Sequence, residues 1–299
     1  MEQTRVVVVG SANMDLVATA PTLPRPGETV LGTDFVTVPG GKGANQAVAA
    51  VRAGASGAFL GAIGSDSFGV TLRARITAAG VDTGQLRVVY GASGVALVMV
   101  NAEGENAILV IPGANGAFTR LTAGELAAVR EADVLVAQLE VPVETVTEAA
   151  VAARAAGTRV VLNAAPARRL PAELLDAVDV LVVNESEAQA LTGRGRDQPH
   201  ALLELVPRAV LTLGAAGAWY GDRDGTAVHV PAVRVEVVDS TAAGDAFTAA
   251  LAVAWGEGRD LLAAVHWAAA AGAACCRRLG ASVALPRRAE IDALYAGPA

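Results

Sequence analysis

Val238-Asp239-Ser240-Thr241-Ala242-Ala243-Gly244-Asp245-Ala246-Phe247 runs straight into Thr248-Ala249-Ala250-Leu251-Ala252-Val253-Ala254-Trp255. The second stretch carries no charge and reads as a buried helix; the first is a turn of small residues that opens it. Such a turn leaves N–H groups of the first helical turn without intrahelical acceptors and aims the positive end of the helix dipole at whatever sits there. That is an anion site. Asp245 lies inside it, where a carboxylate stays ionised and can act as a base beside a migrating phosphoryl group. Asp239 and Asp245 also suit N-terminal caps of a buried helix, so the rest of the chain decides between the readings.

Outward from this stretch, strand-like runs at 133–138, 158–163, 179–183 and 209–213 alternate with helical patterns at 143–156 and 185–192. Short strands are expected near 217–237, then helices over 243–256 and 260–279. This alternation predicts a parallel sheet with right-handed crossovers. Arg5-Val6-Val7-Val8-Val9-Gly10 is a continuous apolar run of the kind found in a central strand covered on both faces. Asn13 and Asp15 follow it, at the carboxyl end where open α/β sheets bind ligands. Alternate residues of an extended segment share a side, so the pair suits two vicinal hydroxyls; both residues equally suit a turn. Pro39-Gly40-Gly41-Lys42-Gly43-Ala44-Asn45-Gln46 opens a helix to about Ala53, with Lys42 and Asn45 in its first turn. Lys42 is the sole lysine of a chain otherwise biased to arginine, which points to a place where a compact ammonium is needed. Neither a P-loop nor a G-x-G-x-x-G dinucleotide fingerprint is present.

A strand is expected over 58–64 and a helix over 68–79. Val95 to Val100 and Ala107 to Val110 flank a hairpin turn, Asn101 to Asn106. With strands near 16–19 and 29–38 they predict a small antiparallel sheet, a candidate lid built from about 15–38 and 88–111. No internal repeat or low-complexity linker interrupts the chain, so residues 1–299 read as one domain. Three further strand ends are polar. Gln138-Leu139-Glu140 places a carboxylate at one. Asn184 and Glu187, at i and i+3 on a helix start, are oxygen donors suited to Mg²⁺ directly or through water, and each of these strand ends equally has a plain reading as a cap or turn. Leu211 to Gly217 leads a strand into a glycine turn.

The 299 residues carry a net charge of −7 without basic clusters, which argues against nucleic acid and anionic membrane surfaces as partners. No uninterrupted apolar run reaches the ~18 residues that span a bilayer. Met1 to Arg5 lacks signal-peptide anatomy. Cys275 and Cys276 are adjacent, a poor geometry for a relaxed disulfide, so reduced thiols in a cytoplasmic protein are expected.

Gly40-Gly41-Lys42-Gly43-Ala44-Asn45 resembles the first signature of the ribokinase/PfkB carbohydrate kinase family, and Asp239 to Asp245 resembles its second. Ser93 to Leu97, Asn101 to Asn106, Gly113-Ala114-Asn115, Gln138 to Glu140, Asn163 to Ala167 and Asn184 to Glu187 resemble it as well, so the likeness spans essentially the whole chain. It implies a three-layer α/β/α fold, a central mostly parallel sheet and a small β-sheet lid. It also implies transfer of a phosphoryl group from Mg²⁺-ATP to O5 of D-ribose. Asp245 falls on the base, and the N–H groups of Ala242, Ala243, Gly244 and Asp245 fall on the anion hole. Asn13, Asp15, Gly41, Lys42, Asn45 and Glu140 fall on sugar-binding positions. Asn184 and Glu187 match the phosphate and metal region; Thr212, Gly214 and Gly217 match the nucleotide cradle. A monovalent cation, usually K⁺, falls to Asp239, Thr241, Cys275, Arg278 and Gly280, several through backbone carbonyls. Members of the family pair through their lids, which implies a homodimer. Three positions depart from the pattern. Ala284 stands where a cation-site Ser is usual, with Ser282 two residues earlier. Ala269 replaces a polar residue beside the adenine, and Asn163-Ala164-Ala165-Pro166-Ala167 replaces Asn-Pro-Ala-Pro-Ala. A sibling kinase for deoxyribose, another pentose or a nucleoside, and a non-catalytic binding protein on the same fold, are the competing readings.

Overall fold

The computed structural model describes residues 3–194 and 199–297. The chain begins β1 (Arg5–Val9), β2 (Asn13–Thr19), β3 (Asp34–Gly40), α1 (Lys42–Arg52), β4 (Ser56–Leu60), β5 (Ala62–Gly64) and α2 (Ser67–Ala78). It continues β6 (Arg87–Val89), β7 (Gly94–Val100), β8 (Asn106–Ile111), α3 (Ala123–Glu131), β9 (Val134–Ala137), α4 (Val143–Ala156), β10 (Arg159–Asn163) and α5 (Ala172–Ala177). Then come β11 (Val180–Asn184), α6 (Glu185–Thr192), α7 (Leu202–Leu205), β12 (Arg208–Thr212), β13 (Ala218–Asp222) and β14 (Ala227–Val230). The last helices are α8 (Ala243–Gly256), α9 (Leu261–Cys275) and α10 (Arg288–Tyr295).

The main sheet has eight strands in the order β14-β13-β12-β11-β10-β9-β1-β4. Every pairing from β4 to β12 is parallel, and β12, β13 and β14 pair antiparallel at one edge. The valine run of β1 is buried on both faces, as its composition predicts. Val6 and Val8 enter the core shared with α1, α8 and α9, whereas Val7 and Val9 enter the core shared with α4 and α5. Alternation of side chains along a strand therefore feeds two apolar layers, and the result is a three-layer α/β/α body. Each such valine contributes about 1.5–3 kcal/mol by leaving water. The apolar, uncharged run of α8 after Asp245 has the same cause, since nearly its whole length is buried against α9, α1 and the sheet. Among the described residues no helix is long and apolar enough to cross a membrane.

A second sheet has the order β3-β2-β7-β8. The β2–β3 and β7–β8 pairs are antiparallel, but β2 and β7 run parallel, with Asp15 opposite Ala96. The expectation of a wholly antiparallel sheet is corrected here. β2 and β7 are separated by β3, α1, β4, β5, α2 and β6, so both strands leave the main body from the same end. Asn13 and Asp15 accordingly lie on a strand and not in a turn. The outer part of this sheet shows Phe35, Val36, Ile108, Leu109, Val110 and Ile111 to solvent. The expected strand over 58–64 breaks at Gly61, and Ala62–Gly64 pairs with β6 in a sheet of its own. Strands expected as far as 237 end at Val230, and the helix expected to 279 ends at Cys275. Loops thereby lead into α8 and out of α9, and they meet.

Candidate active site

The first turns of α1 and α8 meet the carboxyl ends of β1, β9 and β10. Glycine makes this approach possible. Gly41 has φ 92°, and a Cβ there would lie 2.7 Å from Asn13 N; a Cβ on Gly43 would lie 2.5 Å from Ser11 N. These two positions seat α1 on the β1–β2 turn, where Ala44 N donates to Ser11 O at 2.8 Å.

Asp245 is buried at this junction, 7% exposed. Its Oδ1 accepts from Gln46 Nε2 at 2.9 Å and its Oδ2 from Asn45 Nδ2 at 3.1 Å. Burial pushes the carboxyl above its ordinary value, against the pull of the Lys42 ammonium and the two amides. Glu140, just past β9, is a hub. Its Oε2 accepts from Ser11 Oγ, from Asn13 Nδ2 at 3.4 Å and from Lys42 N at 3.1 Å. Asp15 has its carboxyl pushed up to about 7 by burial and by the charges of Glu140 and Asp245. Burial works against the charge on Lys42, yet Asp245, Glu140 and Glu187 hold its ammonium above the ordinary value. The pocket is thus rich in hydrogen-bond acceptors around one cation, which suits a neutral polyol that donates several hydroxyls.

At the start of α8, Ala242 takes φ 63°, the sole positive φ of a non-glycine among the described residues. An L-residue there carries strain of about 1–2 kcal/mol. The N–H of Ala243 is engaged by Ser240 O at 3.1 Å, while those of Ala242, Gly244 and Asp245 meet no acceptor among the described residues. Asp239 ties the loop before α8 to the loop after α9. Its Oδ1 accepts from Thr241 N at 2.9 Å and Thr241 Oγ1 at 2.7 Å, and its Oδ2 from Gly280 N at 2.8 Å. Although burial opposes it, these donors hold Asp239 below the usual carboxylate range. Cys275 Sγ donates to Thr241 O at 3.6 Å, and burial pushes that thiol up to about 12. The Arg278 guanidinium turns outward to Glu290, so the main chain is what Arg278 offers this loop. Ala284 is fully buried, and the buried Ser282 Oγ makes no hydrogen bond among the described residues.

Asn184 and Glu187 cap each other. Asn184 Oδ1 accepts from Glu187 N at 2.9 Å, and Glu187 Oε2 accepts from Asn184 N at 2.8 Å. Burial raises the Glu187 carboxyl, and the Lys42 charge opposes this, so the capping box is electrostatically linked to the cluster around Lys42 and Asp245. Thr212 lies opposite Asn184 in the sheet register and donates to Val183 O at 3.3 Å. Gly214 and Gly217, both at positive φ, bracket the turn into β13. Among the described residues no hydrogen bond joins this turn to Asp245.

The pfkB family carbohydrate kinase model matches residues 3–288. The chain belongs to that family. It is 40% identical over 293 residues to a ribokinase of Bacillus subtilis (strain 168), covering 97% of this chain and 98% of that one. It is 36% identical to a ribokinase of Haemophilus influenzae, with 95% and 96% covered. Among solved structures, ribokinase of Arabidopsis thaliana complexed with ribose and ATP superposes with a TM-score of 0.92 at 32% identity, covering 99% of each chain. A ribokinase from Thermotoga maritima gives 0.89 at 32% identity, with 99% of this chain and all of that one covered.

Five residues of this pfkB-family site carry no assigned role in the sequence reading. Ser11 and Asn115 steady Glu140 and Asn13: Asn115 Nδ2 donates to Asn13 Oδ1 at 2.7 Å and its Oδ1 accepts from Ala12 N at 3.0 Å. Gln46, Gln138 and Asn163 lie behind Asp245. Gln138 and Asn163 lie in segments that resemble the family, and Gln46 in the helix after the first signature, but a polar side chain in an Ala- and Val-rich segment gives no partner.

Proposed function

We propose that this chain phosphorylates D-ribose at O5 with Mg²⁺-ATP, yielding ribose 5-phosphate. The observation that carries the reading is Asp245: a buried carboxylate, held by two amide donors, at the first turn of a helix whose Gly244 and Asp245 N–H groups are open. The similarity to ribokinases over nearly the full length supports ribose as the sugar.

Asn13, Asp15, Gly41, Lys42, Asn45 and Glu140 would line the sugar, with Asp15 and Glu140 accepting from its hydroxyls. Asp245 takes the proton of the attacking hydroxyl. A carboxylate raised by burial is a stronger proton acceptor and suits that task near neutral pH. The open N–H groups at α8 and the Lys42 ammonium offset charge that develops on the transferring phosphoryl, an effect commonly worth about 2.7–4 kcal/mol for one well-placed donor. Thr212, Gly214 and Gly217 would form the nucleotide wall.

A divalent ion would be carried chiefly by the phosphates of ATP. Asn184 and Glu187 fit a contact to it through water, because Glu187 Oε1 is left open by the capping box. When bound, the ion would neutralise phosphate charge. A monovalent cation, K⁺, fits the loops stitched by Asp239, with Thr241, Cys275, Arg278 and Gly280 as the other donors. The small sheet would close over the sugar as a lid and pair with a second copy, since its exposed apolar residues favour burial. The paired free thiols support a reducing, cytoplasmic setting.

A coupled assay of purified protein with pentoses, hexoses and nucleosides tests the reading. Ribose should give the highest kcat/KM, with phosphate on O5 by ³¹P NMR. Preference for a nucleoside or a deoxy sugar would overturn it.

A further inference from the structure

Behind Asp245 lies a line of three buried amides. Gln46 and Gln138 are fully buried and Asn163 is 8% exposed, so solvent does not compensate a wrong orientation. The direction of the line is set at its far end. Val182 O, on β11, can only accept, and Asn163 Nδ2 donates to it at 3.2 Å. Asn163 Oδ1 therefore faces Gln46 and accepts from Nε2 at 3.1 Å, while the same Nε2 donates to Asp245 Oδ1 at 2.9 Å. Gln46 Oε1 is turned away from the carboxylate and accepts from Gln138 Nε2. A flipped Gln46 would set its carbonyl against two acceptors at once.

We infer that Gln138 and Asn163 lock Gln46 with its NH₂ toward Asp245, which makes Gln46 a positioning residue for the base. The lock is rooted in the main-chain carbonyl of a central strand, so the donor on Asp245 is oriented by the sheet as well as by α1. It leaves one lone-pair site on each carboxylate oxygen for a substrate hydroxyl. The charged or titratable groups that bear on Asp245 are Lys42 from α1, Glu140 after β9, Asp15 on β2, Glu187 on α6 and Cys275 on α9. None belongs to the amide line.

This inference rests on the role proposed for Asp245, and its test separates the two. The Asp245 carboxyl is titrated by ¹³C NMR, assigned with Asp245→Asn, in the parent, Gln46→Met and Gln138→Met. The pH profile of kcat with ribose is recorded on the same samples. Methionine keeps the volume and removes the amide. In Gln46→Met the Asp245 midpoint should rise by about one pH unit, because the ionised form loses a donor. kcat should fall about tenfold or more, with its acid limb shifted alike and ribose KM within about threefold. Gln138→Met, which never touches Asp245, should move the midpoint in the same direction by less. A midpoint unmoved in both variants overturns the inference. A shift confined to Gln46→Met overturns the lock and leaves a lone hydrogen bond. Should Gln46→Met fail to fold, the Gln138→Met midpoint decides. A parent inactive on ribose, with the shifts intact, defeats the functional reading and not this one.

Discussion

Asn45 and Asp245 are 200 residues apart in the chain, yet Asn45 Nδ2 donates to Asp245 Oδ2 across 3.1 Å. This bond joins the first turns of α1 and α8, so the glycine turn at Gly41 to Gly43 and the small-residue turn at Ala242 to Asp245 are held as one piece. Both oxygens of Asp245 face amide donors, which keeps its geometry tight before any substrate arrives.

Asp245→Asn should leave ribose binding within a few-fold and lower kcat by about 10²–10⁴-fold, the usual weight of a general base. The check is kcat by coupled assay beside ribose affinity by calorimetry. A turnover close to the parent would remove Asp245 from the chemistry.

Lys42→Arg should be damaging although it keeps the charge. Lys42 is held between Asp245, Glu140 and Glu187 beside Gly41 and Gly43, where Cβ atoms already have no room. The wider guanidinium fork should lower kcat/KM by at least about tenfold. Parent-like kinetics would reduce the lone lysine to an accident of composition.

Asp15→Asn should make the protein more stable and a worse enzyme. The Asp15 carboxyl rises from 3.8 to about 7 on folding. Between those values the folded state binds more protons than the unfolded one, so stability falls as pH rises through that window. The penalty is fully present above it. The variant should therefore melt higher than the parent at about pH 8 and alike below about pH 4, while ribose KM rises about tenfold to a hundredfold. Equal melting points at both pH values would show that Asp15 carries no such penalty.

Potassium should stabilise the chain apart from any effect on rate. Thermal melts in KCl should lie above those in tetramethylammonium chloride at equal ionic strength. Ala284→Ser adds a hydroxyl ligand, so its half-effect should come at about fivefold lower KCl, the equivalent of one ~1 kcal/mol contact. Superimposable melts in the two salts would return Asp239 to the role of a loop tie.

Sedimentation at micromolar concentration should give a dimer, and Ile108→Glu, on the exposed sheet, should shift it toward monomer. A parent that sediments as a monomer would sink lid pairing.

Much of the fold is written in local pattern. The valine run of β1 and the uncharged stretch of α8 can only be interior elements, and the alternation between them dictates parallel crossovers. The glycine turn at Gly40 to Gly43 and the small-residue turn at Ala242 to Asp245 advertise close backbone approach, which is a property of residues next to one another in the chain. The tertiary structure alone decided what meets across distance. Glu140 could be seen as a polar strand end, but its grip on Ser11, Asn13 and the Lys42 N–H depends on β1 and β9 lying side by side. The parallel pairing of β2 with β7 depends on the path the chain takes through six intervening elements. Gln46 is one of two adjacent amides in an Ala-rich helix, and its role emerges only where β10 and α8 bring an amide and a carboxylate to it and a carbonyl of β11 fixes the direction of that amide. Periodicity and turn chemistry act over a few residues and are legible in order along the chain; hydrogen-bond direction in a buried cluster is set by partners that folding brings together from far apart.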